Sequence, residues 1–486
     1  MSDARFTLVA IIGCVAAIGC QAKAENRDAP RQTRPNVLFI VIDTLRADHL
    51  GCYGYGRPTS ANIDRLAAQG VLFEQCEAPA SWTFPSVMSM FTGLLPVVHG
   101  CVEGHEVLST AIPTLPERFR KKGYFCGAII SNPQLYARFG FGRGFDPYDD
   151  YSLFMESDLN TLLGDEDEQM QPVTETVTGA AVTDRALRLL EKARRSGQPW
   201  FLFIVYFDPH ASYVPPPPYH RKFDRDYRGA IDGRGVQSFQ HAPPVGRDLQ
   251  HLIARYDGEI DYTDQQVGRL LAGLDDASDP SQTLVILVSD HDEAFADHGV
   301  LLHGNNAYRE EVHVPMIWRW PGVLPAGRRV VGSVSAMDIP ATLNEVLKFD
   351  DFAPDQGRSL WPAMVGGSRG VQRPIVSQRA FGAEDHVALT DGDMRLHAIF
   401  AESPAEVGAS FELYELAADP FEQINVLDRH RQRADQIKQS LVGIWSDSIR
   451  THASYQRLGR TGRVKLTGPQ ERQLEAIGYA DGAGDQ

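Results

Sequence analysis

Three long apolar runs in this chain each stop abruptly at polar residues of the kind that bind metals or transfer protons. Residues 36–42 are followed by Asp43, residues 200–207 by Asp208-Pro209-His210, and residues 283–289 by Asp290-His291. Apolar runs of this length, rich in Val, Ile and Phe, suit β-strands that are covered on both faces. Open parallel sheets bind ligands beyond the carboxyl ends of such strands, so the pattern predicts a site at that edge.

Helical patterns alternate with further strand patterns over most of the chain. Helical spacing of apolar residues occurs at 61–70, 115–122, 177–195, 249–274 and 339–347, and strand-like runs occur at 125–131 and 312–320. This alternation predicts an α/β core with a mostly parallel central sheet that is covered by helices on both faces.

Two segments depart from this alternation. Residues 211–248 lack apolar periodicity and hold the run Pro215 to Pro218, so we interpret them as a loop that forms a lid over the site. After residue 370 short apolar pieces are followed by a helix over about 429–449. We therefore predict a catalytic domain at 35–370 and a smaller C-terminal α+β subdomain at 371–486.

The charge balance argues against a nucleic-acid partner. The 486 residues carry a formal net charge of -16, and no basic face is visible. Nucleic-acid binding needs such a face because it releases counterions from the phosphates. An anionic substrate would have to be attracted by local positive charge.

Residues 1–20 predict an export signal. After Arg5 a nearly unbroken apolar stretch ends at Gly19-Cys20, which resembles the lipobox where bacterial lipoproteins are cleaved and acylated. An ordinary cleaved signal and a buried helix are the alternatives. Residues 21–34 are predicted to form a linker. We expect a periplasmic or cell-surface protein that contacts the membrane through this lipid anchor and no other segment.

Four cysteines follow the signal: Cys52, Cys76, Cys101 and Cys126. Export permits disulfide bonds, and four cysteines allow three pairings that the sequence does not rank. No CxxC spacing indicates a zinc cluster, so we interpret the four as structural and leave their pairing open.

Four blocks of the chain form one set in sequence order: Pro35 to Tyr55 with Pro58 to Leu66, Phe207 to His210, Ser289 to Glu293 with His303-Gly304, and Glu412 to Leu416 with Asp419-Pro420. Together these blocks resemble the sulfatase family, within the alkaline phosphatase superfamily. The terminal segment 474–479 is similar to the ending of one subgroup. The resemblance spans nearly the whole mature chain and implies an alkaline-phosphatase-like fold and metal-dependent ester chemistry.

The nucleophile position departs from the usual family pattern. Typical sulfatases oxidise a Cys or Ser followed by x-Pro-x-Arg to formylglycine, whereas the matching segment here is Thr83-Phe84-Pro85-Ser86-Val87. Thr nucleophiles occur in phosphodiesterases and phosphoethanolamine transferases of the superfamily, so the resemblance favours phosphoryl or phosphonyl chemistry. Pro85 also predicts a helix that starts just after Thr83, where free amides favour an anion. We predict Thr83 as the nucleophile, with a simple helix cap as the alternative.

The predicted ligands of a divalent metal ion come from the same strand ends: Asp43, Asp290, His291 and the Thr83 oxygen. A single Asp after a strand is usually a turn former, but these residues match one family pattern together. The mixed oxygen and nitrogen set suits Zn or Mn better than Ca, although the family also uses Ca and Mg. Thr44 replaces a second Asp that typical sulfatases carry.

Other polar residues match family positions around the transferred group. We predict His210 and His303 as acids or charge-stabilising groups, although each alone could be a solvated or core histidine. The predicted substrate-binding residues are Arg46, Arg57, Asp208 and Asn132. Asp208 could instead complete a second metal site with the two histidines. Asn132 stands where typical sulfatases offer a Lys, which weakens the sulfate interpretation.

The sequence thus predicts an exported hydrolase or transferase that acts on sulfate, phosphate or phosphonate esters through Thr83 and a metal. The substrate would be an ester of a small molecule, a glycan or a lipid headgroup. The alternative is a catalytically silent protein of the same fold that binds a metal and an anion. Loss of the formylglycine motif, of the second Asp and of the Lys motivates it.

Overall fold

The computed structural model describes residues 34–150, 178–349, 356–366, 373–379 and 384–465. The predicted signal, nearly all of the linker and the terminal block at 474–479 lie outside these residues. The strands are β1 Asn36–Ile42, β2 Val71–Glu77, β3 Glu106–Val107, β4 Phe125–Ile129, β5 Tyr148–Asp149, β6 Trp200–Tyr206, β7 Thr283–Ser289, β8 Ala294–Phe295, β9 Leu301–Leu302, β10 His313–Arg319, β11 Arg328–Ser335, β12 Ile375–Arg379, β13 Asp385–Asp391, β14 Met394–Phe400, β15 Ser410–Glu415 and β16 Gly462–Arg463. The helices are α1 Ala61–Ala68, α2 Thr83–Thr92, α3 Pro96–His99, α4 Leu115–Lys121, α5 Gly179–Arg195, α6 Arg247–Ala277, α7 Arg309–Val312, α8 Ile339–Leu347, α9 Trp361–Val365 and α10 Arg431–Leu458.

The central sheet has eight strands in the order β11-β2-β10-β7-β1-β6-β4-β5. Strand β1 pairs in parallel with β6 and β7, and β4 pairs in parallel with β6 and β5. Strand β10 runs antiparallel to both of its neighbours. Every residue of β1, β6 and β7 is buried. The predicted mostly parallel α/β architecture is confirmed.

Helices cover both faces of this sheet. Along β1, side chains at alternate positions enter two separate cores, because successive side chains of a strand point to opposite faces. Val37, Phe39 and Val41 pack with apolar residues of α2, α4 and α8. Their neighbours Leu38, Ile40 and Ile42 pack with apolar residues of α1, α5 and α6. The site edge of the sheet therefore sits between two hydrophobic layers that hold its strands in register.

The sequence pattern does not predict strands β2, β11 and β12. In β2 the apolar run lasts three residues before Glu74 and Gln75 interrupt it, and β11 is an edge strand with exposed positions. Short or half-exposed strands lack the continuous apolar run that identified β1 and β7. Tertiary pairing, which the local sequence does not encode, makes them strands.

The predicted lid segment, 211–248, packs against the loop that carries His303. The backbone amide of Leu301 donates to the carbonyl oxygen of Gln240 at 2.9 Å. The Gln240 side chain donates from Nε2 to Asn305 Oδ1, also at 2.9 Å. These contacts tie the segment to a loop next to the site, and its function as a lid stays a prediction.

The C-terminal part contains an antiparallel sheet in the order β12-β13-β14-β15, followed by α10. This agrees with the predicted α+β character, while the boundary at residue 370 stays a prediction. Cys52, Cys76, Cys101 and Cys126 are all free, so none of the three possible pairings forms. Within the described ranges, no helix has both the length and the apolar composition needed to cross a bilayer.

A polar cluster joins the core to this C-terminal sheet. His298 Nδ1 lies 2.7 Å from Glu310 Oε1, and its Nε2 lies 3.0 Å from the carbonyl oxygen of Glu422. The Glu422 carboxylate in turn lies 2.8 Å from His397 Nε2. Burial alone would lower the pKa of His298, but the hydrogen bond and charge of Glu310 outweigh burial and raise that pKa to about 9.

We expect this contact to make stability depend on pH. The folded pKa of His298 lies above the ordinary value of 6.5, so the stabilisation is complete below pH 6.5 and is lost as pH rises through 9. Because water screens this partly exposed imidazole, the loss would be about 1 to 2 kcal/mol. Denaturant unfolding at pH 6 and pH 9 measures it. His298→Gln should reduce the difference in unfolding free energy between pH 6 and pH 9. His430→Gln, at an exposed histidine, should leave that difference unchanged. If His298→Gln also leaves it unchanged, His298 is not the source of the pH dependence.

Candidate active site

Two neighbouring strand ends bring two carboxylates and an imidazole to one point. Asp43 follows β1, and Asp290 and His291 follow β7, which pairs with β1 along its whole length. Ligand atoms of the three residues lie within 4.8 Å of one another. Asp43 Oδ1 and Asp290 Oδ2 each lie 3.5 Å from His291 Nε2. The three ligands predicted from strand ends are thus brought together.

The His291 ring presents an unprotonated nitrogen to this point. Its Nδ1 lies 3.0 Å from the carbonyl oxygen of Asp292, and since a carbonyl can only accept, Nδ1 carries the proton. Burial lowers the pKa of His291 to about 3, so the ring stays neutral. A neutral imidazole whose second nitrogen donates to a carbonyl is the form that ligates a divalent cation.

The two aspartates have too few partners for buried charges. Burial, followed by the negative charge of Asp290, raises the pKa of Asp43 well above its usual range. Burial also raises the pKa of Asp290. No described donor meets hydrogen-bond geometry at Asp43 Oδ1 or Asp290 Oδ2, although the Thr83 hydroxyl lies close enough to Asp290 to oppose the rise of its pKa in part. A divalent cation fits this donor set because it would satisfy both oxygens and offset both charges.

The Thr83 hydroxyl lies directly beside the three ligands. Thr83 Oγ1 is 3.1 Å from His291 Nε2. Asn132 Nδ2 donates to Thr83 Oγ1 at 3.3 Å and to Asp43 Oδ2 at 2.5 Å. Asn132 therefore holds the hydroxyl and a carboxylate with one amide group.

Helix α2 fixes Thr83 at this position. Thr83 is the first residue of the helix, one position further in than the sequence predicts, with Trp82 as the residue before it. One turn on, Ser86 Oγ donates to the backbone oxygen of Asp290 at 2.5 Å, which pins the helix to the end of β7. Thr83 consequently lies at the positive end of a helix dipole, which favours an anion.

His210 and His303 lie next to His291. The ring centroids of His303 and His291 are 4.3 Å apart, and those of His210 and His303 are 4.9 Å apart. Burial lowers the pKa of His210 and of His303 to about 3. Glu293 Oε1 lies 2.9 Å from His303 Nδ1, and burial raises the pKa of Glu293 to about 7. Sequence reasoning assigned no role to Glu293, and its place in the block after β7 was the one available signal.

Thr44 has a strained backbone beside the predicted ligands. Its φ is 52°, in the left-handed region that β-branched residues rarely adopt. Its amide lies 3.4 Å from Asp290 Oδ1, and Tyr256 Oη donates to its carbonyl oxygen at 2.6 Å. Such strain persists where surrounding contacts impose it, and it is common at functional sites.

The two arginines predicted to bind substrate are engaged elsewhere. Arg46 is buried and pairs with Asp48 at 2.8 Å and with Asp297 at 3.1 Å. Arg57 Nη1 donates to Asp257 Oδ2 at 2.6 Å. Because carboxylates already offset both guanidinium charges, these contacts do not support the predicted role.

The Asp208 carboxylate binds the amino end of a helix. Its Oδ2 accepts from the amides of Gly179 at 2.7 Å and of Thr178 at 3.1 Å, at the start of α5. Among the residues that the structure describes, Asp43, Asp290 and His291 form the one group with metal-ligand spacing. The hypothesis of a second metal site at Asp208 therefore finds no support.

Asp208→Ala should act on stability and leave metal content unchanged. Removing a helix cap costs about 1 to 2 kcal/mol of unfolding free energy. Denaturant titration measures that loss, and elemental analysis of the same preparation measures metal per chain. Loss of one metal equivalent would instead restore the second-site hypothesis.

A family profile, two relatives and a solved structure each match more than half of this chain. The family profile described as Sulfatase matches residues 35–349. Human iduronate 2-sulfatase is 28% identical over 383 residues, which cover 69% of each chain. A multifunctional alkaline phosphatase superfamily protein of Trinickia caryophylli is 26% identical over 405 residues, 69% of this chain and 78% of its own. The crystal structure of phosphonate monoester hydrolase of Agrobacterium radiobacter superimposes with a TM-score of 0.65 at 23% identity and covers 90% of this chain and 99% of that chain.

Proposed function

The chain belongs to the sulfatase family, and we propose that it is a metal-dependent hydrolase of sulfate, phosphate or phosphonate esters with Thr83 as its nucleophile. The observation that carries this proposal is the 3.1 Å distance between Thr83 Oγ1 and His291 Nε2. The same His291 nitrogen lies 3.5 Å from Asp43 Oδ1 and from Asp290 Oδ2, two buried carboxylate oxygens that lack hydrogen-bond geometry to any described donor.

The residues that would hold the metal are Asp43, Asp290, His291 and Thr83. A divalent cation, when bound, supplies Lewis acidity that lowers the pKa of a neighbouring hydroxyl. Four donors of mixed oxygen and nitrogen type favour zinc or manganese, because calcium takes about six to eight oxygen ligands.

The chain's own residues account for the remaining chemistry. The Thr83 hydroxyl releases its proton to solvent, its oxygen attacks the phosphorus or sulfur atom, and the bond from that atom to the ester oxygen breaks. Asn132 donates to the attacking oxygen, and the amino end of α2 stabilises negative charge on the transferred group. The leaving oxygen takes a proton from His303, and Glu293, whose pKa burial raises to about 7, replaces that proton so that the ring stays neutral. Water then cleaves the Thr83 ester: its hydroxyl stays on the phosphorus or sulfur atom, its proton returns to Thr83, and Glu293 takes up a proton from solvent.

Threonine favours phosphate or phosphonate esters over sulfate esters. A formylglycine hydrate expels sulfate from its own hemiacetal, whereas an ester on threonine has to be cleaved by water. The relative from Trinickia caryophylli is named as multifunctional within the alkaline phosphatase superfamily, which is in keeping with such a range of esters.

Kinetics with p-nitrophenyl sulfate, phosphate and phenylphosphonate test the proposal on the metal-reconstituted protein. We expect turnover of at least one ester, lost with EDTA and restored by zinc or manganese. Metal binding without turnover of any ester would contradict the proposal and favour the silent anion-binding alternative.

A further inference from the structure

Strand β12 of the C-terminal sheet runs beside the segment that leads into Thr83. The amide of Gln378 donates to the carbonyl oxygen of Pro79 at 3.1 Å, and the amide of Ser81 donates to the carbonyl oxygen of Gln378 at 3.3 Å. The last residue of β12 is Arg379. Its backbone position is therefore tied by hydrogen bonds to the chain just before the proposed nucleophile.

The Arg379 side chain reaches the loop that carries His303. Its Nε donates to the carbonyl oxygen of Gly304 at 3.3 Å. The amide of Gly304 donates to the carbonyl oxygen of Ser81 at 2.9 Å. Gly304, which follows His303 in sequence, thus links the Arg379 guanidinium to the segment before Thr83.

No carboxylate of the described residues forms an ion pair with Arg379 within 4 Å. Its hydrogen bonds run to backbone oxygens, that of Gly304 and that of Glu384 at 3.1 Å. Burial raises the pKa of Asp385, and its hydrogen bond from Gln378 Nε2 at 3.0 Å and the charge of Arg379 oppose that rise in part. The direct contacts of Arg379 are to carbonyl oxygens, and Asp385 offsets its charge only without a direct ion pair, so this partly exposed guanidinium keeps positive charge that attracts an anion.

We propose that Arg379 binds a second anionic group of the substrate, separate from the ester that reacts at Thr83. The inference rests on the proposed function and narrows its substrate class to esters that also carry an oxyanion, such as a carboxylate. The planar fork of a guanidinium suits two-point binding of such a group. Arg46 and Arg57, the arginines predicted from sequence, are already paired and do not compete for this role.

Binding of non-hydrolysable analogues tests the inference without turnover. Calorimetry on the metal-loaded protein would compare phenylphosphonate with its ortho-, meta- and para-carboxy derivatives. We expect at least one carboxy derivative to bind about tenfold more tightly than phenylphosphonate. Arg379→Gln should remove that advantage, and Arg379→Lys should restore part of it. Arg431→Gln, the same charge change at an exposed helix position, should leave the advantage unchanged.

Two results would overturn the inference. One is that none of the three carboxy derivatives binds more tightly than phenylphosphonate to the wild-type protein. The other is that Arg379→Gln and Arg431→Gln keep the same advantage. Ester turnover, measured separately, decides the proposed function, so either result can occur while that function stands.

Discussion

Thr83→Ala should lower kcat for ester hydrolysis by a factor on the order of 1000 or more, while the protein keeps its fold. The substitution removes the oxygen that lies 3.1 Å from His291 Nε2 but leaves Asp43, Asp290 and His291 in place. Metal should therefore still bind through three residues. Steady-state kinetics and elemental analysis on one preparation measure both effects.

A matched control lies at the other end of the same helix. Thr92 Oγ1 donates to the carbonyl oxygen of Met88 at 2.8 Å, away from the candidate ligands. Thr92→Ala removes an equivalent hydroxyl and should cost about 1 kcal/mol of stability without changing kcat. Thr83→Ser, which keeps an oxygen, should retain measurable turnover. If Thr83→Ala hydrolyses esters as fast as Thr92→Ala does, Thr83 is not the nucleophile.

The strands that carry the site were predictable because both of their faces are buried. Strands β1 and β7 match the predicted apolar runs at 36–42 and 283–289 residue for residue. Burial on both faces leaves an uninterrupted apolar sequence, and polar residues resume where the strand leaves the core. Strands β2 and β11 pair near one edge of the sheet, where the sequence does not have to be continuously apolar.

The site was predictable where it depends on strand ends and was not where it depends on distant partners. Asp43, Asp290 and His291 meet because adjacent parallel strands end at the same edge. The pairing of Arg46 with Asp297, by contrast, joins residues 251 positions apart. No local pattern records such a contact, and the same holds for the approach of Arg379 to Gly304.

Asp290→Asn should change the stability of the metal-free and metal-loaded protein in opposite directions. In the metal-free protein the substitution removes one of two buried like charges, so the unfolding midpoint should rise. Asparagine still accepts through Oδ1 from the amides of Thr44 and His291, so these contacts persist. Metal affinity should fall by more than about 100-fold. Losing a residue that hydrogen-bonds to a metal ligand already costs about 10- to 100-fold in affinity, and losing a ligand itself should cost more. Thermal unfolding with and without metal measures both quantities.

Asp257→Asn supplies the contrast, because this buried carboxylate already has cationic and neutral donors. It lies 2.7 Å from His49 Nδ1 and accepts from Tyr55 Oη at 2.7 Å and from Arg57 Nη1 at 2.6 Å. Removing a compensated charge leaves its partners unsatisfied, so the midpoint should fall while metal affinity is unchanged. Replacing Asp by Asn should thus raise the unfolding midpoint of the metal-free protein at position 290 and lower it at position 257. A lower midpoint for metal-free Asp290→Asn would show that Asp43 and Asp290 do not repel each other. The cluster would then be a hydrogen-bonded structural feature with no need of a cation.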